Sequence, residues 1–342
     1  MKSINLNASQ LPSTMLRLWP GLLLTSGLAF LATSLQKLPG INILSPLILA
    51  VVLGVLLRNT IGTADIYRPG ITFSLKRILR LAIILLGLQL SLAQVLDIGP
   101  IGLAIVVVTL VSTFIFTCSL GSYLGVEQKL TRLVAAGTSI CGASAVVATS
   151  SVVKSSDEDV TYAVAIITVF GTLSMLLYPV LDMMGLDLTS TGFGLWCGAS
   201  IHEVAQVVAA AFQMGEATGE IATISKLSRV MFLVPMLLGM GFMSISSHKQ
   251  SKAMQLSKLP IPWFVFGFVA LIVLNSFSLF PVAIKDWIIQ GNKFLLTIAL
   301  AAMGLETNLL KIRETGLKPF YLGAASWLFI SGLSFGLVKL LY

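Results

Sequence analysis

The sequence predicts an all-α integral membrane protein of about eleven transmembrane helices, and three observations carry that fold class. Hydrophobic residues make up 56% of the 342 residues. Charged residues make up only 11%, against about 25% in ordinary globular proteins, too few to cover a soluble surface. Apolar runs that approach or reach the roughly 20 residues required by a bilayer core recur along the whole chain. The same composition excludes a disordered chain, a disulfide-stapled secreted domain and a transmembrane β-barrel, whose strands would alternate in polarity. A net charge of +8 would suggest nucleic acid in a soluble protein. Here the basic residues lie mostly in short loops, where they orient the chain and meet anionic lipid headgroups, so the lipid bilayer is the expected partner and nucleic acid is not.

The predicted spans run 18–36, 43–57, 77–96, 101–124, 130–152, 160–181, 191–213, 223–245, 261–280, 287–305 and 319–341. The first begins near Trp19 after a polar start with no clear small-residue cleavage site, so it is read as a retained helix rather than a leader. The second is short. The third opens on the basic run Lys76-Arg77-Ile78-Leu79-Arg80, the fourth is apolar throughout, and the fifth is rich in small and hydroxyl residues. Asp157-Glu158-Asp159 forms a solvated turn into the sixth. The seventh carries His202 and Glu203, and the eighth holds Lys226 and Arg229 in its first turns. These two are included because the apolar stretch after them is too short to cross a bilayer alone. The ninth contains Asn275, read as a helix–helix hydrogen bond. The tenth ends in the polar Gly304-Leu305-Glu306-Thr307-Asn308, and Lys339 near the end of the eleventh can snorkel to the interface.

Placing the N-terminus in the cytoplasm puts Lys2, Arg17, Arg58, Arg68, Lys76, Arg77, Arg80, Lys129, Arg132, Lys249, Lys252, Lys258, Lys311, Arg313 and Lys318 inside. Only Lys37, Lys154, Lys285 and Lys293 are then left outside. That bias is the one cytoplasmic loops carry, and it requires an odd number of helices with the C-terminus outside.

Two short similarities suggest an internal repeat. Lys76-Arg77-Ile78-Leu79-Arg80-Leu81 resembles Ser225-Lys226-Leu227-Ser228-Arg229-Val230 five helices later, so the copies would be inverted. This predicts an extra helix in 1–40, one five-helix repeat in 41–186 and a second in 187–342. A competing match, Gly87-Leu88-Gln89 against Gly304-Leu305-Glu306, would pair spans three and ten.

Cys-Gly-Ala-Ser occurs twice, at 141–144 and 197–200. Small residues let helix backbones approach closely, and they also tolerate an unwound turn whose freed amides face a cavity. Both readings stand for these blocks, close packing and a substrate site. Beside the second block lie His202, Glu203 and Gln206. Unpaired charges at bilayer depth cost about 2.5–3.5 kcal/mol even on insertion scales, so they have a reason to be there. Glu203 could pair with Lys226 or Arg229 to lock two helices. Alternatively, Lys226 and Arg229 hold an anion with Ser144, Ser200, Gly142 and Gly198 around it, while Glu203 and His202 take up a proton and Gln206 orients them. Glu306 and Asn308 are weaker cavity candidates.

Enzyme chemistry is not expected. His202-Glu203-Val204-Ala205-Gln206 lacks the second histidine of HExxH, and the other histidine, His248, falls in a loop. No Walker A sequence is present, and the aspartates fall in loops or at span edges. Cys118, Cys141 and Cys197 lie inside apolar segments, which argues against a disulfide framework or a metal site. No cofactor is implied.

GTSICGASAVVA, CGASIHEVAQVVAA and ISKLSRV together resemble the bacterial YeiH-type membrane proteins, a family labelled as sulfate exporters, and the likeness extends along nearly the whole chain. The resemblance implies an inner-membrane carrier similar to cation/proton antiporters and bile-acid symporters. Such a carrier has inverted five-helix repeats, broken crossing helices in a core domain and a scaffold past which the core moves. By that analogy spans five and ten would cross. The expected function is secondary transport of a small inorganic or organic anion, such as sulfate or a related sulfur oxyanion or sulfonate, by exchange or proton coupling. A passive anion channel is the alternative, and a homodimer is a candidate assembly.

Overall fold

The computed structural model describes residues 11–38, 44–247, 263–277, 281–307 and 317–342. Among these residues the regular structure is helical, without strands. The helices are α1 (Leu11–Leu35), α2 (Pro46–Thr60), α3 (Arg68–Phe73), α4 (Leu79–Leu86), α5 (Leu92–Asp97), α6 (Gly99–Leu124), α7 (Gln128–Ser139) and α8 (Ala143–Val153). They continue with α9 (Asp157–Leu181), α10 (Ser190–Ser200), α11 (Val204–Gln213), α12 (Glu216–Met231), α13 (Leu233–Ser247), α14 (Trp263–Ser276), α15 (Val282–Glu306) and α16 (Leu317–Leu341).

Among the described residues, six stretches are long and apolar enough to cross a bilayer: Arg17–Leu35, Gly99–Leu124, Asp157–Leu186, Glu216–Met240, Ile284–Glu306 and Leu317–Leu341. The other predicted spans coincide with short or interrupted helices. Spans two and nine are the short α2 and α14. Span three is broken by a π turn at Ser74–Ile78 and a tight turn at Gly87–Gln89. Spans five and seven are the interrupted pairs α7/α8 and α10/α11. The chain is an all-helical integral membrane protein, and its outward side chains suit lipid: Phe30, Ile115 and Leu328 are exposed.

Two expectations are corrected here. Span eight begins at Glu216, seven residues before its predicted start at 223, so Lys226 and Arg229 lie well inside α12 rather than in its first turns. At 1.5 Å per residue they sit about 15–20 Å along the helix, near the middle of the apolar stretch Glu216–Met240. Span ten is the continuous helix α15, and the interrupted helix that faces span five is span seven.

The chain divides into two compact units that interleave in sequence. One gathers α1 to α4 with α15; the other gathers α5 to α14 with α16. In the first unit α2 and α15 touch backbone to backbone: a Cβ at Gly54 would stand 2.6 Å from the Ala301 carbonyl. Asn59 Nδ2 donates to the Thr307 carbonyl at 3.0 Å, and Asn292 Nδ2 to Ala82 at 3.0 Å, fastening α15 to α2 and α4. Buried polar side chains that bridge helices in this way satisfy backbone groups that hydrocarbon cannot. Lys76, Arg77 and Arg80 of this unit are exposed, whereas their proposed repeat partners Lys226 and Arg229 are fully buried, so the matched sequences occupy opposite environments.

In the second unit, Leu133, Val134, Val146, Ile167, Phe170 and Leu322 form an apolar core among α7, α8, α9 and α16. Ser156 starts α9 by accepting the Asp159 amide at 3.1 Å, while Asp159 accepts the Ser156 amide at 3.0 Å. This capping box makes the acidic run the exposed first turn of the helix. Asn275 Nδ2 donates to the Leu90 carbonyl at 2.7 Å. Lys339 is exposed, and its Nζ donates to the Leu186 carbonyl at 2.8 Å. His248 and Asn308 fall outside the described residues.

Candidate functional site

Two helix interruptions meet inside the second unit. α7 ends at Ser139, and α8 starts three residues later from Gly142, whose φ of 74° and ψ of −136° suit glycine alone. α10 ends at Ser200 and α11 starts from Glu203, across an extended Ile201 with φ −62° and ψ 142°. The breaks touch: a Cβ at Gly142 would lie 2.6 Å from Glu203 Cγ and 3.4 Å from the His202 carbonyl. α12 runs alongside, and its approach to α10 depends on the missing side chain of Gly198, where a Cβ would meet Ser225 Cβ at 2.5 Å.

A helix end leaves carbonyls without intrahelical partners, and in hydrocarbon each must find another donor. At the end of α7, Ala136 accepts the Ile140 amide and Gly137 the Gly142 amide, both at 3.0 Å. The remaining carbonyls are met by α12. Arg229 Nη2 donates to Thr138 at 2.8 Å and its Nε to Ser139 at 3.1 Å, while Lys226 Nζ donates to Ile140 at 2.9 Å. The same two side chains cap α10. Arg229 Nη1 reaches Ala199 at 2.6 Å, Gly198 at 3.2 Å and Ile201 at 3.4 Å, and Lys226 Nζ reaches Ile201 at 2.7 Å. Lys226 and Arg229 are therefore structural caps bridging two half-helix C-termini, whose partial negative charge favours them there.

The opposite charge stands at the two N-termini. Glu203 is the N-cap residue of α11, and its carboxylate lies beside the Ala143 amide that opens α8 and the Thr168 side chain of α9. An acidic group is favoured at a helix N-terminus, and here one serves two. Among the described residues Glu203 forms no ion pair within 4.0 Å with Lys226 or Arg229, so the helix-locking salt bridge considered from sequence is not what holds the elements together. Gln206 holds the turn: its Oε1 accepts the Glu203 amide at 3.0 Å, and its Nε2 donates to the Thr168 carbonyl at 3.2 Å and Thr172 Oγ1 at 3.3 Å. His202 is buried, and its Nδ1 has no hydrogen-bond partner among the described residues.

A family model described as Conserved hypothetical protein 698 matches residues 20–323. A UPF0324 membrane protein of Pasteurella multocida is 39% identical over 323 residues, covering 92% of this chain and 95% of its own. The UPF0324 inner membrane protein YeiH of Escherichia coli is 37% identical over 323 residues, 92% of each chain. A UPF0324 membrane protein of Bacillus cereus is 37% identical over 320 residues, 93% of this chain and 90% of its own. This chain belongs to the UPF0324 family of YeiH-type membrane proteins. No solved structure matches it.

For this UPF0324 protein the structure brings together most of the sequence-predicted site residues: Lys226, Arg229, Gly142, Glu203, His202 and Gln206 surround the paired breaks. The two Cys-Gly-Ala-Ser blocks are not equivalent. The first spans the break itself, whereas the second lies inside α10 and the break follows it. Gly198 is thus a close-packing residue rather than part of an unwound turn. Ser200 is committed elsewhere, donating to the Trp196 carbonyl at 2.5 Å and lying 3.0 Å from the Tyr178 hydroxyl. Ser144 is exposed in the first turn of α8, and Glu306 is exposed at the end of α15. Sequence reasoning missed the acceptors at Thr138, Ser139 and Ile140, which have no side-chain signature because they act through backbone oxygens. It also missed the Tyr178 hydroxyl, 2.6 Å from Ser331 Oγ, with its ring stacked on Trp196 at 3.8 Å. An aromatic hydroxyl in an apolar span was the available signal.

Proposed function

We propose that this UPF0324 protein is a secondary carrier, not an enzyme, that moves a small anion across the bacterial inner membrane by alternating access. Charge balance at the paired breaks supports the sign of the substrate. The half-helix ends contribute about half a charge each, two negative and two positive, and cancel. The fully buried Lys226 and Arg229 against the half-buried Glu203 leave a surplus of one positive charge. Such a surplus attracts an anion into a region where an unpaired charge is costly.

The observation that carries the reading is the abutment of Gly142 and Glu203 across two interrupted helices, because discontinuous helices at mid-membrane are where carriers hold substrates. The exposed Ser144 hydroxyl in the first turn of α8 is the side-chain donor available to an oxyanion, such as sulfate, another sulfur oxyanion or a sulfonate. The label of the resembling family points to the same class. Glu203, with His202 beside it, takes up the proton that couples or balances the movement. Lys226 and Cys141 are the charged and titratable groups near Glu203, and Lys226 and Arg229 those near His202.

The test is uptake of labelled sulfate and a small sulfonate into proteoliposomes across a range of pH. Saturable uptake that Glu203→Gln makes less dependent on pH is the expected result. Flux rising in proportion to concentration would indicate a pore, and no flux with any anion would sink the carrier.

A further inference from the structure

Carriers with interrupted helices commonly seat a sodium ion among unwound carbonyls and half-helix C-terminal ends. The donor type for such a site is present here. Six carbonyl oxygens converge from the two breaks: Thr138, Ser139 and Ile140 from the α7 end, and Gly198, Ala199 and Ile201 from the α10 end. Every one of them accepts a hydrogen bond from Lys226 or Arg229, at 2.6–3.4 Å. These residues do not fit an alkali-metal ion, because the ion's place is filled. We infer that the chain carries its own tethered cations where a sodium ion would sit, and that this crossing takes no sodium.

The geometry makes the substitution complete. Lysine supplies a compact point charge and arginine a rigid fork of five donors. Lys226 bridges the two breaks through Ile140 and Ile201, which is the bridging role of a bound ion. Arg229 satisfies the carbonyls one and two residues further back on α7, Ser139 and Thr138, and two and three residues further back on α10, Ala199 and Gly198. Sodium could enter only by driving Lys226 Nζ off both carbonyls, leaving that ammonium unpartnered in a fully buried place and two cations side by side. Both are unfavourable in a low-dielectric interior. The consequence for coupling rests on the carrier reading: transport runs on protons or exchange and is indifferent to sodium. The occupancy itself rests on the hydrogen bonds alone.

Thermal unfolding of the purified protein in detergent separates the two. Sodium, potassium and choline chlorides are compared at matched ionic strength. The same Tm in all three is expected, whereas a saturable, sodium-specific rise of more than about 2 °C would overturn the inference. Lys226→Ala removes the tethered ammonium while keeping Arg229. Its Tm should fall and should be raised saturably by propylammonium, the fragment lost beyond Cβ, but not by choline. A folded variant indifferent to propylammonium would overturn the filled-site assignment, and if the variant does not fold the wild-type titration still decides. In proteoliposomes, replacing sodium by choline should leave anion uptake unchanged. Absence of any anion uptake with an unchanged Tm series would fail the carrier reading while leaving the tethered cations in place.

Discussion

Arg229 uses all three of its nitrogens on backbone oxygens of two different helices, and no other side chain type can reproduce that reach. Lysine keeps the charge but gathers its three donors on one atom. Arg229→Lys therefore leaves at least two buried carbonyls without donors. At about 1–3 kcal/mol each, the variant should lose roughly 2–6 kcal/mol of stability. Denaturation of the purified variant in detergent measures it, and a loss below about 1 kcal/mol would show that the guanidinium fork is dispensable. Gly142 is the second residue on which the crossing depends. An alanine there must hold φ 74° with ψ −136° and place its Cβ 2.6 Å from Glu203 Cγ. The backbone term alone costs about 1–3 kcal/mol. Gly142→Ala should lower Tm and, because it pushes Glu203 aside, alter the pH dependence of uptake. Wild-type values for both would mean that the breaks do not touch.

At the scale of elements, α11 is attached through Gln206, which joins its own N-cap to α9 by three hydrogen bonds. Gln206→Leu retains the volume and removes all three, stranding the Glu203 amide. A loss of about 1–3 kcal/mol is expected, accompanied by faster amide exchange in Val204–Gln213 than in α12. Uniform exchange across both helices would deny α11 its separate anchor. The contrast between the two interruptions explains how far the site was legible from sequence. The α7/α8 break carries its cause locally, in a glycine at a positive φ within Cys-Gly-Ala-Ser. The α10/α11 break spans Ile201, His202 and Glu203, with neither glycine nor proline, so no local signal marks it. It is held open from outside, by Lys226 and Arg229 drawing its carbonyls toward α12 and by Gln206 holding its first amide. The residue types at the site could be read because charges in apolar spans stand out. What those charges bind could not, since a backbone oxygen looks the same in every sequence. The same limit explains why the basic run at Lys76–Arg80 resembled the one at Lys226–Arg229 while lying exposed.

At the scale of the whole molecule, the prediction of eleven spans depends on whether an interrupted pair crosses the bilayer or turns back. α7 and α8 together cover 128–153, about 39 Å if laid end to end, which is enough for a core of about 30 Å. Across that pair the basic residues favour the α7 end, which has Lys129 and Arg132 against Lys154 at the other. Lys129 stands exposed at the start of α7, and Glu158 stands exposed in the first turn of α9. The positive-inside bias places the first in the cytoplasm and the second outside. With Cys118, Cys141 and Cys197 replaced by alanine or serine, a single cysteine at Glu158 should react with a membrane-impermeant maleimide added to intact cells. One at Lys129 should react only after permeabilisation. The signals should reverse in inverted vesicles. If both positions label from the same side, α7 and α8 form a re-entrant hairpin and one span is lost. The loop charges then no longer require an odd number of helices, and a carrier that alternates around Gly142 and Glu203 would have to open twice toward one face.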